Sequence, residues 1–384
     1  MGTALYAYPW NVHDVDDAVA RVRALGADDI TLAASYHAGK FIQPGDPKAR
    51  VYFPEDGTVY FRPRRTYGDV KPKVSALTAA HDVLADLCAR DDIGVNAWTV
   101  LNHNTRLGSA RPDLCVRNAF GDIYPYSLCP SQPLVRAYAV TLCADIAAHY
   151  RVKSLLLETP GFLTYGHGFH HEFAQVASNA WLDAMLGLCF CDCCRAGARN
   201  AGTDAGGLAG RVRVAVDAFL DGDTSAPMLD DWNTSDPDLA DFYRFRCEVV
   251  TSLVADIRAA VDPKVLVKVI STCQRPHATA YLEGHDLAAL DAVSDGLELP
   301  LYQPTPEAVL ADARHVLGCV AADRTSVILR PGFPDLSDEV DLFAALDGLK
   351  ALGFRDFAFY NLGLLRPVDL RRLQGALAER VLHV

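Results

Sequence analysis

The feature that most constrains this fold is an alternation of short apolar runs with helical patterns. Apolar runs of five to eight residues recur eight times, and segments with the 3.6-residue periodicity of amphipathic helices lie between them. Short strands that are apolar over their whole length are typical of parallel sheets buried on both faces. The runs occupy residues 4–8, 30–35, 93–100, 154–158, 265–271, 296–300, 326–330 and 357–361.

Eight such units in 384 residues predict an α/β fold, a single (β/α)8 TIM barrel spanning residues 1–384. An open, doubly wound sheet is the alternative, but the G-x-G-x-x-G signature of many such sheets does not follow the first run. The choice between them rests on the number of strands, and eight favours the barrel.

Three long segments follow the second, third and fourth runs, at residues 36–72, 102–132 and 159–236. In a barrel such loops lie at the carboxyl ends of the strands, where active sites form. Their position therefore favours an enzyme. Within the third segment, a loop insertion, the glycine-rich stretch 202–210 is predicted to be a flexible tip.

Composition restricts the partners and the location. The net charge is −12 without an extended basic run, which argues against a nucleic acid or a membrane surface as partner. Apolar stretches fall short of the roughly 18 residues that a membrane helix needs. Eleven cysteines, in a sequence whose first residues lack the basic region of a signal peptide, favour reduced thiols and a cytoplasmic location. The oligomeric state stays open, with a homo-oligomer among the options.

A cysteine cluster predicts a metal site. Cys189, Cys191 and Cys194 place three soft ligands within six residues, a spacing that can fold around one Zn²⁺. A tetrahedral site needs a fourth ligand, and Cys129 is preferred because it would tie the loop after the third strand to the loop after the fourth. Four thiolates would close the site and make it structural. The less favoured ligands are Cys193 and Cys115.

These features resemble family 42 glycoside hydrolases, which are barrel β-galactosidases. Residues 129–136 read CPSQPLVR, similar to a Cys-Pro-x-x-Pro-x-x-Arg segment of that family, and Glu158 and the three later cysteines follow in the family's order. The resemblance covers residues 93–195 and implies a glycosidase with a structural zinc site of four cysteines. Two positions depart from the family: Leu157 replaces the Asn before the acid, and strand seven ends in Arg330 rather than in a nucleophilic Glu.

Glycosidic cleavage typically uses two carboxyl groups, one to protonate the leaving oxygen and one to attack or to activate water. Glu158 is the predicted acid, because a carboxyl at the end of an apolar strand is expected to have a raised pKa. Glu298, on the sixth run, is the first choice for the second carboxylate. Glu172 and Asp335, each on a flanking loop, are the alternatives.

Polar and aromatic residues near the predicted strand ends are expected to bind the substrate, a small saccharide or glycoside. Aromatic rings offer apolar faces to sugars, while Asn, His and Arg bond to hydroxyl groups. The predicted contacts are His37, Asn96, Trp98, His103, His170, His171, Glu172, Arg330, Tyr360 and Asn361.

Two other functions remain open. The histidine-rich loop 167–172 could bind a catalytic divalent metal, which would indicate a sugar isomerase, epimerase or lyase. Alternatively, the missing strand-seven carboxylate is compatible with a barrel that binds carbohydrate without cleaving it.

Overall fold

The computed structural model describes residues 2–168, 176, 179–222, 225, 227–274 and 276–381, and it contains a closed barrel of eight parallel strands. Each strand pairs with the next, and the first pairs with both the second and the last. The predicted TIM barrel is therefore confirmed. Its strands are β1 (Thr3–Ala7), β2 (Asp29–Tyr36), β3 (Gly94–Val100), β4 (Ser154–Glu158), β5 (Leu266–Ile270), β6 (Leu297–Pro300), β7 (Thr325–Leu329) and β8 (Asp356–Phe359).

Helices between the strands form the outer layer of the barrel. Most begin at a side chain that accepts a hydrogen bond from the first turn, such as Asp14 before the first helix and Thr305 before the sixth. The outer helices are α1 (Val15–Ala24), α2 (Val83–Cys88), α3 (Pro133–His149), α4 (Pro237–Ala260), α5 (Leu287–Val293), α6 (Pro306–Leu317), α7 (Glu339–Ala351) and α8 (Pro367–Val381). Among the residues described, no helix combines the length and apolar character needed to cross a bilayer.

Successive side chains of a strand point to opposite faces of the sheet, so every second side chain points into the barrel interior. The central layer is apolar and includes Ala33, Leu156, Ile270, Ile328 and Ala358, all buried. Polar side chains lie above and below this layer. The barrel is thus closed in the middle and presents two chemically different ends.

The three long loops carry their own secondary structure. The β3 loop contains a hairpin that pairs Cys115–Arg117 with Ile123–Leu128. The described part of the β4 insertion contains four helices: Ala180–Leu186, Asp192–Asn200, Ala205–Leu220 and Leu229–Ser235. The prediction of a flexible tip at 202–210 is wrong, because Asp204 caps a helix that begins at Ala205 and runs through the glycines.

A buried carboxyl group, that of Asp145 on α3, anchors part of the β2 loop and is fully inaccessible to solvent. It accepts hydrogen bonds from the backbone N–H groups of Arg64 and Arg65, with shortest distances of 3.0 and 3.2 Å. The Tyr67 hydroxyl donates to it at 3.0 Å, and His149 Nδ1 lies 2.8 Å away. One side chain therefore satisfies several donors of a loop with little regular structure.

Replacing this carboxylate should destabilise the protein without changing its volume. In Asp145→Asn the amide group faces backbone donors, so the free energy of unfolding should fall by roughly 2–4 kcal/mol. Denaturant unfolding followed by circular dichroism measures the change. Asp217→Asn, on an exposed face of the Ala205–Leu220 helix, is the matched control and should change stability little. Equal stability of the two variants would contradict the role of Asp145.

Candidate active site

A cavity of about 290 Å³ lies at the carboxyl ends of the strands, and we refer to it as the mouth cavity. Its wall is mainly aromatic, with one carboxyl group and one guanidinium group among the residues described. Strands on all sides of the barrel contribute to it, because inward-facing residues at their carboxyl ends converge. The defining residues are Tyr6, Tyr36, His37, Trp98, Glu158, His167, Cys273, Tyr302, Arg330 and Tyr360.

Glu158 is the carboxylate of the mouth cavity. It is the last residue of β4, and Trp98 on the neighbouring strand β3 donates its indole N–H to Glu158 Oε2. Burial raises the pKa of Glu158 to about 7; the Trp98 bond opposes this increase, and the negative charge of Glu283 adds to it. A carboxyl group that is about half protonated near neutral pH can donate a proton there.

Aromatic side chains surround this carboxyl group. The Trp98 ring packs edge-on against Tyr6 and Tyr36, with centroid distances of 5.3 and 5.1 Å. The Tyr8 hydroxyl lies 3.1 Å from that of Tyr36 and 2.5 Å from that of Tyr360. Burial raises the pKa of all three bonded tyrosines above 10, so they remain neutral. The wall offers apolar ring faces together with hydroxyl groups, as sugar recognition requires.

The predicted contacts His37, His103 and Arg330 also lie at this end of the barrel. His37 lines the mouth cavity and stacks on His103 at 3.8 Å, and the His103 ring lies 5.0 Å from that of His167. Arg330 Nε donates to Asp335 Oδ2 at 2.6 Å, and the guanidinium lies 4.6 Å from the Tyr302 ring centroid. Asp335 thus serves as the partner of Arg330 in this arrangement.

Two predicted residues, Asn96 and Glu298, lie deeper than expected, which corrects their predicted place at the mouth. Asn96 precedes Trp98 by two residues on β3, and Glu298 precedes Pro300 by two on β6, which puts each about 6.6 Å below the mouth. Both line a second cavity of about 230 Å³ at the amino ends of the strands, the base cavity. The other polar residues that define it are Thr3, Asp29, Lys153, Ser154, Lys268, Ser326 and Asp356.

Glu298 is tied to its surroundings by two hydroxyl groups. Ser326 donates to its Oε2, and Tyr6 donates to its Oε1 at 3.2 Å. Burial raises the pKa of Glu298, while the Lys268 charge opposes that increase. Because Tyr6 also lines the mouth cavity, Glu298 is connected to that cavity through a tyrosine rather than by direct exposure.

The remaining predicted contacts are not brought to the mouth cavity by the described structure. Asn361 is fully buried, and its Oδ1 accepts the Gly363 N–H at 2.9 Å, so it supports the turn after β8. His170, His171 and Glu172 lie outside the described residues. Their predicted roles, including a catalytic metal site, remain predictions.

Sequence reasoning missed Tyr6, Cys273 and Glu283. Tyr6 has a signal, since residues 4, 6 and 8 alternate along β1 and the aromatic pair therefore faces inward. Cys273 lies three residues beyond the end of β5, and a single cysteine in such a pattern is most often an ordinary buried residue. Glu283 ends a short helical turn, His277–Glu283, and has no periodic pattern that could have indicated a role.

The four cysteines predicted as ligands do come together. The sulfur atoms of Cys129, Cys189, Cys191 and Cys194 all lie within 4.8 Å of one another, and all four residues are buried. Cys129 Sγ lies 3.7 Å from Cys191, 3.5 Å from Cys194 and 3.8 Å from Cys189. The alternatives are elsewhere: the Cys193 thiol bonds to Gln132, and that of Cys115 bonds to the Gly108 carbonyl.

This arrangement fits a tetrahedral metal ion. Zn–S bonds of about 2.3 Å in a tetrahedron place the sulfurs about 3.8 Å apart, close to the observed separations. Hydrogen bonds from the other three thiols lower the pKa of Cys191, whereas burial raises the pKa of Cys129. Four buried cysteines therefore form a site that could hold a metal.

Solved structures that resemble this chain include a glycoside hydrolase domain and a fucosidase. One is the PgaB (BpsB) glycoside hydrolase domain from Bordetella bronchiseptica, with a TM-score of 0.58, 15% identity, and coverage of 98% of this chain and 99% of that chain. Another is α-L-fucosidase isoenzyme 2 from Paenibacillus thiaminolyticus, with a TM-score of 0.54, 12% identity, and coverage of 99% and 49%. The chain thus spans about half of the fucosidase.

At these identities the likeness establishes the TIM barrel fold. No family model and no curated protein matches the chain. The resemblance to family 42 seen in the sequence therefore stays a prediction.

The raised pKa of Glu158 predicts a pH-dependent effect on stability. Its pKa rises on folding from an ordinary value near 4.5 to about 7, so the folded state holds the proton more tightly and loses stability as pH increases across this interval. Glu158→Gln removes that ionisation. The variant should be more stable than the parent by about 3 kcal/mol at pH 8 and nearly equal to it at pH 4.5. Urea unfolding at both pH values measures this, and an equal difference at the two would contradict it.

Proposed function

We propose that this protein is a carbohydrate-active hydrolase that cleaves a small saccharide or glycoside, with Glu158 as the general acid. The observation that carries the proposal is a carboxyl group with a pKa of about 7 at a strand end, inside an aromatic cavity. The cavity is near the lower end of the usual ligand range of roughly 300–1,000 Å³, which suits a small ligand. The neighbouring barrels are named as a glycoside hydrolase domain and a fucosidase, in agreement with this substrate class.

In this proposal the neutral Glu158 carboxyl gives its proton to the leaving oxygen as the glycosidic bond breaks, and water adds to the anomeric carbon and loses a proton, so the products are a free sugar and an alcohol. The Trp98 indole N–H, already bonded to Oε2, stabilises the carboxylate that remains. The same bond orients the carboxyl group. The ring faces of Tyr36 and Tyr302 provide apolar contact for the sugar, and Arg330 provides hydrogen-bond donors.

The second catalytic group is proposed to act at the face of the sugar opposite Glu158. Glu298, the first choice from the sequence, contributes through Tyr6, because its carboxylate accepts the Tyr6 hydroxyl and Tyr6 lines the mouth cavity. Its role is then to orient Tyr6 against the substrate. Of the two alternatives from the sequence, Asp335 is paired with Arg330, and Glu172 lies outside the described residues.

Replacing Glu158 tests the proposal through the leaving group. Glu158→Gln should lower the rate on an alkyl glycoside by roughly 10²–10⁴-fold, because this leaving group needs a proton. It should lower the rate on a dinitrophenyl glycoside much less, because that leaving group departs as a stable anion. The parent rate on the alkyl glycoside should decline as pH rises above about 7.

Full activity of Glu158→Gln on the alkyl glycoside would contradict the assignment of the acid. Sugar binding without turnover by the parent, across a panel of aryl and alkyl glycosides, would instead favour the carbohydrate-binding barrel. Isothermal calorimetry with the same sugars distinguishes loss of binding from loss of chemistry.

The cysteine cluster is proposed to bind one structural Zn²⁺. Four thiolates leave no open coordination position, so the ion would hold the β3 loop to the β4 insertion and would take no part in the chemistry. The sulfur separations and the buried position support this choice. Thiolate ligands must be reduced, in agreement with the cytoplasmic location expected from the sequence.

Metal analysis tests the zinc proposal with a neighbouring cysteine as control. The purified protein should carry about one zinc per chain, and Cys194→Ser should lose it and unfold at a lower temperature. Cys193→Ser should keep the zinc, because the Cys193 thiol bonds to Gln132 and stands outside the cluster. Equal zinc content in the two variants would contradict the site.

A further inference from the structure

Glu283 is a buried carboxylate that serves the loop after β5. It ends the short helical turn His277–Glu283 and is 2% exposed. The N–H of Cys273 donates to both of its oxygens, at 3.0 and 3.1 Å, and the N–H of Gln274 donates to Oε1 at 3.1 Å. The Thr272 hydroxyl also donates to Oε1. Three consecutive residues that line the mouth cavity are thus shaped by one side chain.

The backbone of Glu283 holds the loop that follows Glu158. Its carbonyl oxygen accepts the Phe162 N–H at 2.9 Å. Gly161 is packed so closely that a Cβ at this position would clash with the same oxygen, so a larger residue would force the two segments apart. Glu283 therefore connects the β4 loop through its backbone and the β5 loop through its side chain.

Arg246 of α4 fixes this junction from outside the barrel. It is 1% exposed, and its Nη2 donates to the Leu282 carbonyl at 2.9 Å. Its guanidinium lies 4.4 Å from the centroid of the Phe162 ring. Arg246 thus contacts both Leu282, which precedes Glu283, and Phe162. The same cation therefore supports the contact between Glu283 and Phe162 from both segments.

The side chain of Glu283 is a hydrogen-bond acceptor that also acts on the mouth cavity. It accepts every hydrogen bond described for its oxygens, from two N–H groups and one hydroxyl. Its charge acts on the mouth cavity, because it raises the pKa of Glu158 and that of Cys273. For both residues, burial is the larger cause of the raised pKa.

We infer that Glu283 is a positioning residue, which joins the loops after β4 and β5 and acts on Glu158 from behind the cavity wall. Its importance for catalysis rests on the proposed function, whereas its action on Glu158 does not. The inference separates the two carboxylates by role: Glu158 faces the cavity, and Glu283 stays behind the cavity wall as an acceptor of hydrogen bonds.

Other ionisable groups also face Glu158 and must be distinguished from Glu283. Arg330 is paired with Asp335, and His37 and His167 line the same cavity. Burial raises the pKa of Cys273, so this thiol is neutral at physiological pH. The tyrosines of the wall, whose pKa is raised in the same way, are Tyr6, Tyr36, Tyr302 and Tyr360.

The indole N–H of Trp98 is a probe for this inference, because it donates directly to Glu158. The chain has four tryptophans, so ¹⁵N-tryptophan labelling yields few indole signals, and Trp98→Phe assigns the relevant one. Its chemical shift should titrate with a midpoint near pH 7 in the full-length protein. The step attributable to Glu158 should vanish in Glu158→Gln, which separates it from effects of His37 and His167.

In Glu283→Gln the midpoint should move to lower pH by roughly one pH unit, because the negative charge that favours the neutral form of Glu158 is gone. Glu307→Gln makes the same exchange on the exposed first turn of α6 and should leave the midpoint unchanged. A folded Glu283→Gln protein with the parent midpoint would overturn the inference.

If Glu283→Gln does not fold, Glu283→Asp takes its place, since it keeps the charge and draws it back by one methylene. Its midpoint should lie below that of the parent, and a midpoint equal to or above the parent value would overturn the inference. The titration needs no turnover. A protein without hydrolase activity would refute the proposed function alone, and an unshifted midpoint would refute the role of Glu283 alone.

Discussion

Closure of the strands is the constraint on which the rest of this structure depends. The backbone of β1 bonds to both β2 and β8, so the sheet has no free edge within the barrel and every strand has a fixed inner face. Closure brings residues from opposite ends of the chain together. Tyr8 and Tyr360, 352 positions apart, share a hydrogen bond because their strands are neighbours. The mouth cavity exists only because of this convergence.

The layers inside the barrel separate two carboxyl groups that would otherwise look equivalent. Burial raises the pKa of Glu158 and of Glu298, so low polarity alone does not distinguish them. Their position relative to the apolar central layer does. Glu158 lies on the side where the long loops enclose a cavity, whereas Glu298 lies on the side of the base cavity and reaches the mouth only through Tyr6.

Buried carboxyl groups anchor the loops after β2 and β5, in addition to the regular secondary structure that the long loops carry. Asp145 binds the backbone of the β2 loop, and Glu283 binds that of the β5 loop. The cysteine cluster connects the β3 loop, through Cys129, to the β4 insertion. At Asp145 and Glu283, a few directed hydrogen bonds satisfy loop N–H groups that have no partner in regular backbone pairing. An unmet donor in a buried loop is costly. The loops can then shape a cavity while the barrel supplies the stability.

The sequence by itself determined the eight strands, their order, and the residues at which many of them end, because apolar runs and helical periodicity are local properties. It also determined that Glu158 ends a buried strand and that three cysteines share a metal-binding spacing. Only the tertiary structure decided how deep each inward-facing side chain lies along the barrel axis. That depth depends on how far neighbouring strands are staggered around the barrel. Stagger put Asn96 and Glu298 below the mouth, and packing of a nonperiodic turn brought Glu283 against the loops on both sides of the cavity.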